Sequence, residues 1–267
     1  MDIKTRRFIK GDEKEISKII IKDIYHENIK DYPKKIIDIL AKRMTPEFVL
    51  KRAEVFHGYV ATYDDKIIGI GMIGPYWDSL TESSLFTIFI DPDYLNKGIG
   101  KTIIKALEED EYYKRADRVE VPASITGLGF YRHMGYGFKR TDKVLGNIVD
   151  DEGEYRLEKY PKESYYNETD IYNIRPYIDN EYHDFNSLIK KFKKFNNESE
   201  LKEYTSNHNL YIIEYNNQEI GFYSNQIQNK DYIINDLYLL PKYEEKFKEQ
   251  IIKDITQKYN DKNIIIL

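Results

Sequence analysis

The sequence predicts an α/β (α+β) chain: a mixed central sheet flanked by helices, followed by a second, smaller half on the same plan. Three observations carry that expectation. Residues 85–90 are too apolar and β-branched for a loop, Pro92 stops the run, and Gly98 and Gly100 stand just before the helical pattern Ile103, Ile104, Leu107. Residues 59–63 and 66–72 read as a hairpin about Asp64 and Asp65. Later segments echo the earlier ones in the same order, the mark of a repeated unit.

The remaining elements follow along the chain. Residues 3–9 read as a strand. Asp12 with Glu15 predicts a capping box for a helix whose apolar stripe is Ile16, Ile19, Ile20 and Ile24. Residues 28–33 break it, and a second helical tract covers 33–40. Thr45 and Pro46 are an N-cap and first-turn pair for a helix to about Phe56. Glu82 begins the strand that ends at Ile90, with period-2 spacing to Ser84, Phe86 and Ile88. Residues 119–124 form a short strand and turn, and 137–143 and 154–157 the last two strands about the turn-rich Asp150, Asp151, Glu152 and Gly153. Residues 161–170 are polar and without period, a linker, so the expected domains are 1–160 and 171–267.

Composition narrows the chemistry. The 267 residues include no cysteine, which excludes disulfides, thiolate metal sites and a cysteine nucleophile. The five histidines show no H-x-x-x-H spacing, so no metal site is expected. The first residues, MDIKTRRF, hold no apolar core, and no run approaches the roughly 20 apolar residues of a membrane span, so a cytoplasmic protein without a membrane partner is expected. A net charge of −5 argues against a nucleic-acid partner and suits a cationic substrate.

The most informative stretch is IFIDPDYLNKGIGKTIIK, residues 88–105, in which a strand, a proline and a glycine pair open a helix. A helix N-terminus offers unpaired N–H groups and partial positive charge, and glycine lets a pyrophosphate approach that backbone. The pattern P-x-Y-x-x-x-G-I-G resembles motif A of the GNAT acetyltransferases. GLGFYRHMGYGF, residues 127–138, resembles motif B of the same superfamily, with Tyr131, Gly135 and Tyr136 at its marked positions. The resemblance covers about residues 3–160. It implies acetyl-CoA as cosubstrate, its pyrophosphate held along Leu95, Asn96, Lys97, Gly98, Ile99, Gly100 and Lys101. Leu95 stands where the family has Arg or Gln, so phosphate binding there would rest on backbone N–H groups; Ser124 replaces the common asparagine and keeps a hydroxyl.

The activity implied is N-acetyl transfer to a primary amine of a small molecule or peptide by direct attack. Backbone N–H groups around Ile88, Phe89 and Ile90 would polarise the thioester carbonyl, and Tyr131 would protonate the departing thiolate. Glu120 and Glu82 are the candidate bases. His133, beside the tyrosine, reads as a helix-end residue. Glu27, Asn28, Asp31 and Tyr32 cluster between the first helices and would attract an amine by charge and cation–π contact. The alternative is a non-catalytic acyl-CoA-binding, sensory or interaction protein.

The second half echoes the first. RRFIKGDEKEISKII from Arg6 is matched by RPYIDNEYHDFNSLI from Arg175, pairing Phe8 with Tyr177, Ile9 with Ile178, Ile16 with Phe185 and Ile20 with Ile189. VATYDDKIIGIG is matched by IIEYNNQEIGFY, and IFIDPDY by LYLLPKY. After Pro241 there is no glycine pair, and Glu244, Glu245 and Glu249 would repel phosphate, so a degenerate, truncated GNAT-like half is expected. Its last strand, residues 264–267, would be an apolar edge needing cover from the first half or from a second chain, which allows a homodimer.

Overall fold

The computed structural model describes residues 1–139, 154–162, 171–177, 193, 196–216 and 218–267. The chain divides into two compact units, Met1–Gly137 with Asp150–Tyr166 and Phe138–Val149 with Asn167–Leu267. Residues 140–143 of an expected strand, the turn from Asp150 to Gly153, linker residues 163–170 and the echo positions Ile178, Phe185 and Ile189 lie outside the described residues.

The first sheet has seven strands in the order β1-β2-β3-β4-β5-β7-β6. They are β1 Lys4–Arg7, β2 His57–Tyr63, β3 Lys66–Pro75, β4 Glu82–Ile90, β5 Arg118–Ala123, β6 Gly137–Phe138 and β7 Tyr155–Lys159. The helices are α1 Glu13–His26, α2 Lys34–Arg43, α3 Pro46–Val55, α4 Ile99–Glu108, α5 Glu111–Arg115 and α6 Leu128–His133. Strands β1 to β4 run antiparallel to their neighbours, and β4 and β5 are parallel. Asp64 and Asp65 turn the β2–β3 hairpin at φ 48° and 60°, the left-handed pair that a type I′ turn needs.

Helices cover both faces of this sheet, as the apolar patterns predict. Ile16, Ile20 and Ile24 of α1, Ile37 of α2 and Val49 of α3 pack on Val60, Ile70 and Met72. On the other face, α4 comes so close that a Cβ at Gly71 would meet Ile103 at 2.5 Å and Leu107 at 2.9 Å. The expected capping box does not form. Asp12 sits at φ −71° in helical geometry, and its carboxylate accepts from Arg6 at 2.7 and 2.9 Å and from the Ile9 N–H at 2.9 Å instead. A charge-assisted fork outcompetes one backbone N–H.

Helix α5 was not expected from the apolar pattern, because it is short and organised by one buried acid. Asp110 caps it through the Tyr112 N–H at 2.8 Å and also accepts from Tyr59 at 2.7 Å, His57 at 2.8 Å and Arg7 at 3.0 Å. Burial would raise its pKa, but the Tyr112 N–H, Tyr59 and His57 together hold it below its ordinary value.

The second unit carries a five-stranded sheet in the order β12-β11-β10-β9-β8. Its elements are β8 Tyr172–Pro176, α7 Glu198–Asn207, β9 Asn209–Tyr215, β10 Gln218–Gln228, β11 Asp231–Leu239, α8 Pro241–Lys258 and β12 Asn263–Ile266. Strands β8 to β11 are successive antiparallel neighbours and β11 and β12 are parallel, the pattern of β1 to β5. Phe247, Ile251 and Ile255 of α8 pack on Tyr172, Ile213 and Ile234. Ile265, Ile266 and Leu267 stay exposed in the single chain, at 39, 49 and 80 %.

Candidate active site

Strands β4 and β5 open into a fork. They pair only at Glu82↔Arg118, Ser83↔Val119 and Ser84↔Glu120, after which β4 continues to Ile90 and β5 to Ala123 without meeting. The cause lies in β4. Met72 pairs with Phe86 and Ile70 with Phe89, so β4 carries one residue more than β3 across this span, and Thr87 adopts φ 51°. That is a β-bulge, and it bends the strand. A β-branched residue in the left-handed region is strained by roughly 1–3 kcal/mol, a cost seen mostly at functional positions.

The bulge also breaks the period-2 spacing expected of Glu82, Ser84, Phe86 and Ile88. Phe86 and Phe89 join the core under α1 to α3, whereas Ile88 lies 3.5 Å from a Cβ built on Gly71, on the α4 face. Beyond Ser84 the β5-facing edge of β4, from Leu85 to Ile90, has no strand partner among the described residues, which leaves alternate backbone groups of that edge outside the ladder. The side chains of Ile88 and Phe89 pack on opposite faces, and Ile90 lies 3.1 Å from a Cβ built on Gly100.

Beyond Ile90 the chain forms the cradle. Asp91 accepts the Asp93 N–H at 3.2 Å, Asn96 and Gly98 take φ 59° and 79°, and α4 begins at Ile99 with no side-chain cap. The N–H groups of Ile99, Gly100 and Lys101 are therefore the unpaired first turn of a ten-residue helix. No atom lies within 4 Å of a Cβ built on Gly98. Gly100 differs from expectation: its Cβ would meet the Phe130 ring at 2.9 Å and Ile90 at 3.1 Å, so its missing side chain serves helix packing rather than phosphate access. The Lys97 ammonium folds back on the Asp93 carbonyl at 3.0 Å and over the Tyr94 ring, Lys101 is exposed, and Leu95 is half-buried.

Across the fork, α6 presents Tyr131. Ser124 Oγ accepts the Gly127 N–H at 3.1 Å and so steadies the turn into the helix. Tyr131 is 8 % exposed, edge-on to Phe130 and Tyr136, and its hydroxyl has no hydrogen-bond partner among the described residues. Burial first, then the charges of Glu154 and Asp23, push its pKa above the ordinary tyrosine value.

The residues expected to attract an amine are engaged within the protein. The Tyr32 hydroxyl accepts the Ile125 N–H at 3.0 Å, and Asp31 accepts from Thr126 at 2.5 Å, so both tie the turn before α6. Glu27 is paired with His26 at 2.6 Å and Lys30 at 2.7 Å, and Asn28 begins the 3-10 turn Asn28–Lys30. The cluster is a built strut, not a free acidic patch.

Glu82 and Glu120 are brought together at the closed end of the fork, around Arg118. Its guanidinium donates to Glu82 at 2.9 and 3.0 Å, to Glu120 at 2.9 Å and to Glu158 at 3.4 Å. Burial opposes the Arg118 charge, but Glu82 and Glu120 outweigh it and raise its pKa further. Neither candidate base is unengaged.

One carboxylate escaped sequence reasoning. Asp23 of α1 is 9 % exposed, and its carboxylate accepts no hydrogen bond from a side chain or a backbone N–H among the described residues. Burial, then the Glu27 charge, push its pKa to about 7, with Lys30 pulling the other way. It also acts electrostatically on Tyr131. A signal was present: Asp23 falls at the i+7 position of the stripe Ile16, Ile19, Ile20, Ile24, a polar residue on an apolar face.

The linkage follows from the raised value. Between an unfolded carboxyl pKa of about 3.9 and the folded value near 7 the native state binds the extra proton, so stability falls as pH rises through that window. Asp23→Asn is expected to stabilise the protein at pH 8 by on the order of 3 kcal/mol and to flatten the slope between pH 5 and 8. Urea unfolding at the two pH values measures it; parallel wild-type and variant profiles would refute the assignment.

No group of three or more His, Asp or Glu able to hold a metal occurs among the described residues, and no helix there is long and apolar enough to cross a membrane. Residues 54–137, which span β2 to α6, match the family described as "Acetyltransferase (GNAT) domain". Among solved structures, the PaiA N-acetyltransferase of Thermoplasma acidophilum in complex with coenzyme A is similar at 18 % identity and a TM-score of 0.50, covering 60 % of this chain and 99 % of its own. A GCN5-related N-acetyltransferase from Rhodopseudomonas palustris is similar at 20 % identity and TM-score 0.49, over 59 % of this chain and 94 % of its own. A GNAT-family acetyltransferase from Staphylococcus aureus Mu50 follows at 18 % and 0.46, over 60 % and 99 %. Among curated proteins none matches the sequence significantly.

Proposed function

We propose that the first unit, whose residues 54–137 carry an acetyltransferase (GNAT) domain, moves the acetyl group of acetyl-CoA to a primary amine by direct attack. The observation that carries the reading is the fork: a bulged strand edge leading into an uncapped helix start, with a partnerless tyrosine hydroxyl opposite. The open space at Gly98 and the first-turn N–H groups suit a pyrophosphate, and the β4 edge suits the pantetheine arm and the thioester oxygen.

In this reading the amine nitrogen bonds to the thioester carbon, β4 N–H groups stabilise the oxyanion, the C–S bond breaks, and Tyr131 gives its proton to the thiolate. The proton lost by the ammonium needs an acceptor. Glu82 and Glu120 already accept from Arg118, whereas Asp23 is unengaged and titrates near 7, where a base at neutral pH is most effective, so Asp23 takes this role directly or through water. That the fold retains a carboxylate which destabilises it supports a functional reason for keeping it.

The second unit reads as a degenerate copy. It repeats the strand order, and its β9–β10 hairpin carries its extra residue at Ile220, the position aligned with the extra Ile68 of β2–β3. Yet α8 starts at Pro241 directly after β11, with no left-handed loop, and Glu244, Glu245 and Glu249 are exposed on it. Thiol release from acetyl-CoA against a panel of amines tests the activity, and calorimetry is expected to find one acetyl-CoA per chain. Tight binding with no turnover would favour the non-catalytic alternative, and two sites per chain would overturn the degenerate-copy reading.

A further inference from the structure

Arg52 on α3 is clamped by aromatic rings and by no anion among the described residues. Phe48 and Phe56, one turn before and after it, and Phe86 of β4 surround its guanidinium, with ring centroids 5.5, 5.0 and 5.0 Å from Cζ. Phe56 and Phe86 stack at 4.6 Å, and Phe56 lies where a Cβ at Gly74 would meet it at 2.3 Å, so the clamp is seated on the sheet. The Nε is sealed from solvent with no hydrogen-bond partner, and no acceptor bonds to the guanidinium among the described residues; the two outer nitrogens are not sealed. Arg6 is paired with Asp12, Arg7 with Asp110 and Arg118 with three glutamates, while Arg115, whose Nε is likewise sealed without a partner, spends both outer nitrogens on the Ser79 and Leu80 carbonyls.

Rings on a guanidinium return less than an ion pair does, and burial lowers the Arg52 pKa with no anion to oppose it, so a held arginine with open outer nitrogens is poised for an anion. Its position says which one. Phe86, under the guanidinium, comes two residues after Ser84, where β4 and β5 last pair, and one residue before the bulge at Thr87. Glu82, Ser84 and Phe86 share a strand face ahead of the bulge, the face on which α3 packs, so Arg52 stands over the mouth of the fork. Planar and bidentate, a guanidinium matches a carboxylate.

We infer that Arg52 anchors a carboxylate of the acceptor, so that the amine acetylated here belongs to an amino acid rather than to a polyamine or an aminoglycoside-like polycation. This rests on the acetyl-transfer reading for the amine end alone. The aromatic clamp fixes the guanidinium without occupying its outer nitrogens, which leaves the rest of the fork mouth to select the side chain.

The test is calorimetric binding of the twenty amino acids and their α-amides to the full chain loaded with coenzyme A, followed by thiol release with acetyl-CoA. At least one amino acid is expected to bind about 10- to 100-fold more tightly than its amide, the effect of one charge-assisted bidentate contact. Arg52→Met, which keeps the stem packed between the rings, is expected to abolish that ratio and leave coenzyme A affinity unchanged, and Arg52→Lys to restore part of it. Binding of no amino acid, equal binding of acid and amide by the wild type, or a ratio that survives in Arg52→Met would each overturn the inference. Discriminating binding without turnover would refute acetyl transfer and leave the carboxylate anchor standing. Turnover of amides as fast as acids would do the reverse.

Discussion

Tyr131→Phe is expected to lower kcat by about 10²- to 10⁴-fold while acetyl-CoA affinity and melting temperature hold, because the substitution removes a proton donor and nothing else. The ring is 8 % exposed and packs on Phe130 and Tyr136, contacts that phenylalanine keeps. The hydroxyl has no partner among the described residues, so its deletion strands no buried donor or acceptor. The pH profile adds a second reading. Burial raises the Tyr131 pKa, so the donor stays protonated well past neutrality and the wild-type alkaline limb should not fall at the ordinary tyrosine value of about 10. Steady-state kinetics beside calorimetry separates the two effects. Unchanged kcat in a folded Tyr131→Phe protein would show that the thiolate leaves unaided.

Gly98→Val should weaken acetyl-CoA binding by about 10²- to 10³-fold. Two costs combine: roughly 1.5–3 kcal/mol for a blocked charge-assisted contact to the first turn of α4, and roughly 1–2 kcal/mol to return to φ 79°, which a β-branched residue leaves in the free loop, when the ligand binds. Because nothing lies within 4 Å of its Cβ, the new side chain projects into ligand space without disturbing the core, so the unliganded fold should survive. Gly100→Ala is the contrasting case. Its methyl meets the Phe130 ring at 2.9 Å, and stability, more than affinity, should fall. Full affinity in folded Gly98→Val would remove the cradle from the mechanism.

What the sequence by itself determined were features written in consecutive residues. The alternation of apolar runs, the Asp64–Asp65 turn, the Thr45–Pro46 cap and the Pro92-to-Gly98 passage from strand to helix each depend on local backbone preference, and each appears where the spacing predicts. The mixed sheet between helices follows from them. Local competition was harder to read: Asp12 is a sound N-cap by type, yet Arg6 reaches it first.

Only the tertiary structure decided which side chains meet. The bulge at Thr87 arises from pairing with β3, and it alone separates Phe86 from Ile88 and opens β4 from β5. Arg118 draws Glu82 and Glu120 into one ion cluster across two strands, an outcome set by register rather than by either residue's type. Asp23 has its raised pKa, and Arg52 its ring clamp without an anion, because helices laid down far from β4 in the chain bury them against it. Backbone propensity acts over a few neighbouring residues and is legible in order; desolvation and Coulomb energy depend on distances that exist only once the chain has closed on itself.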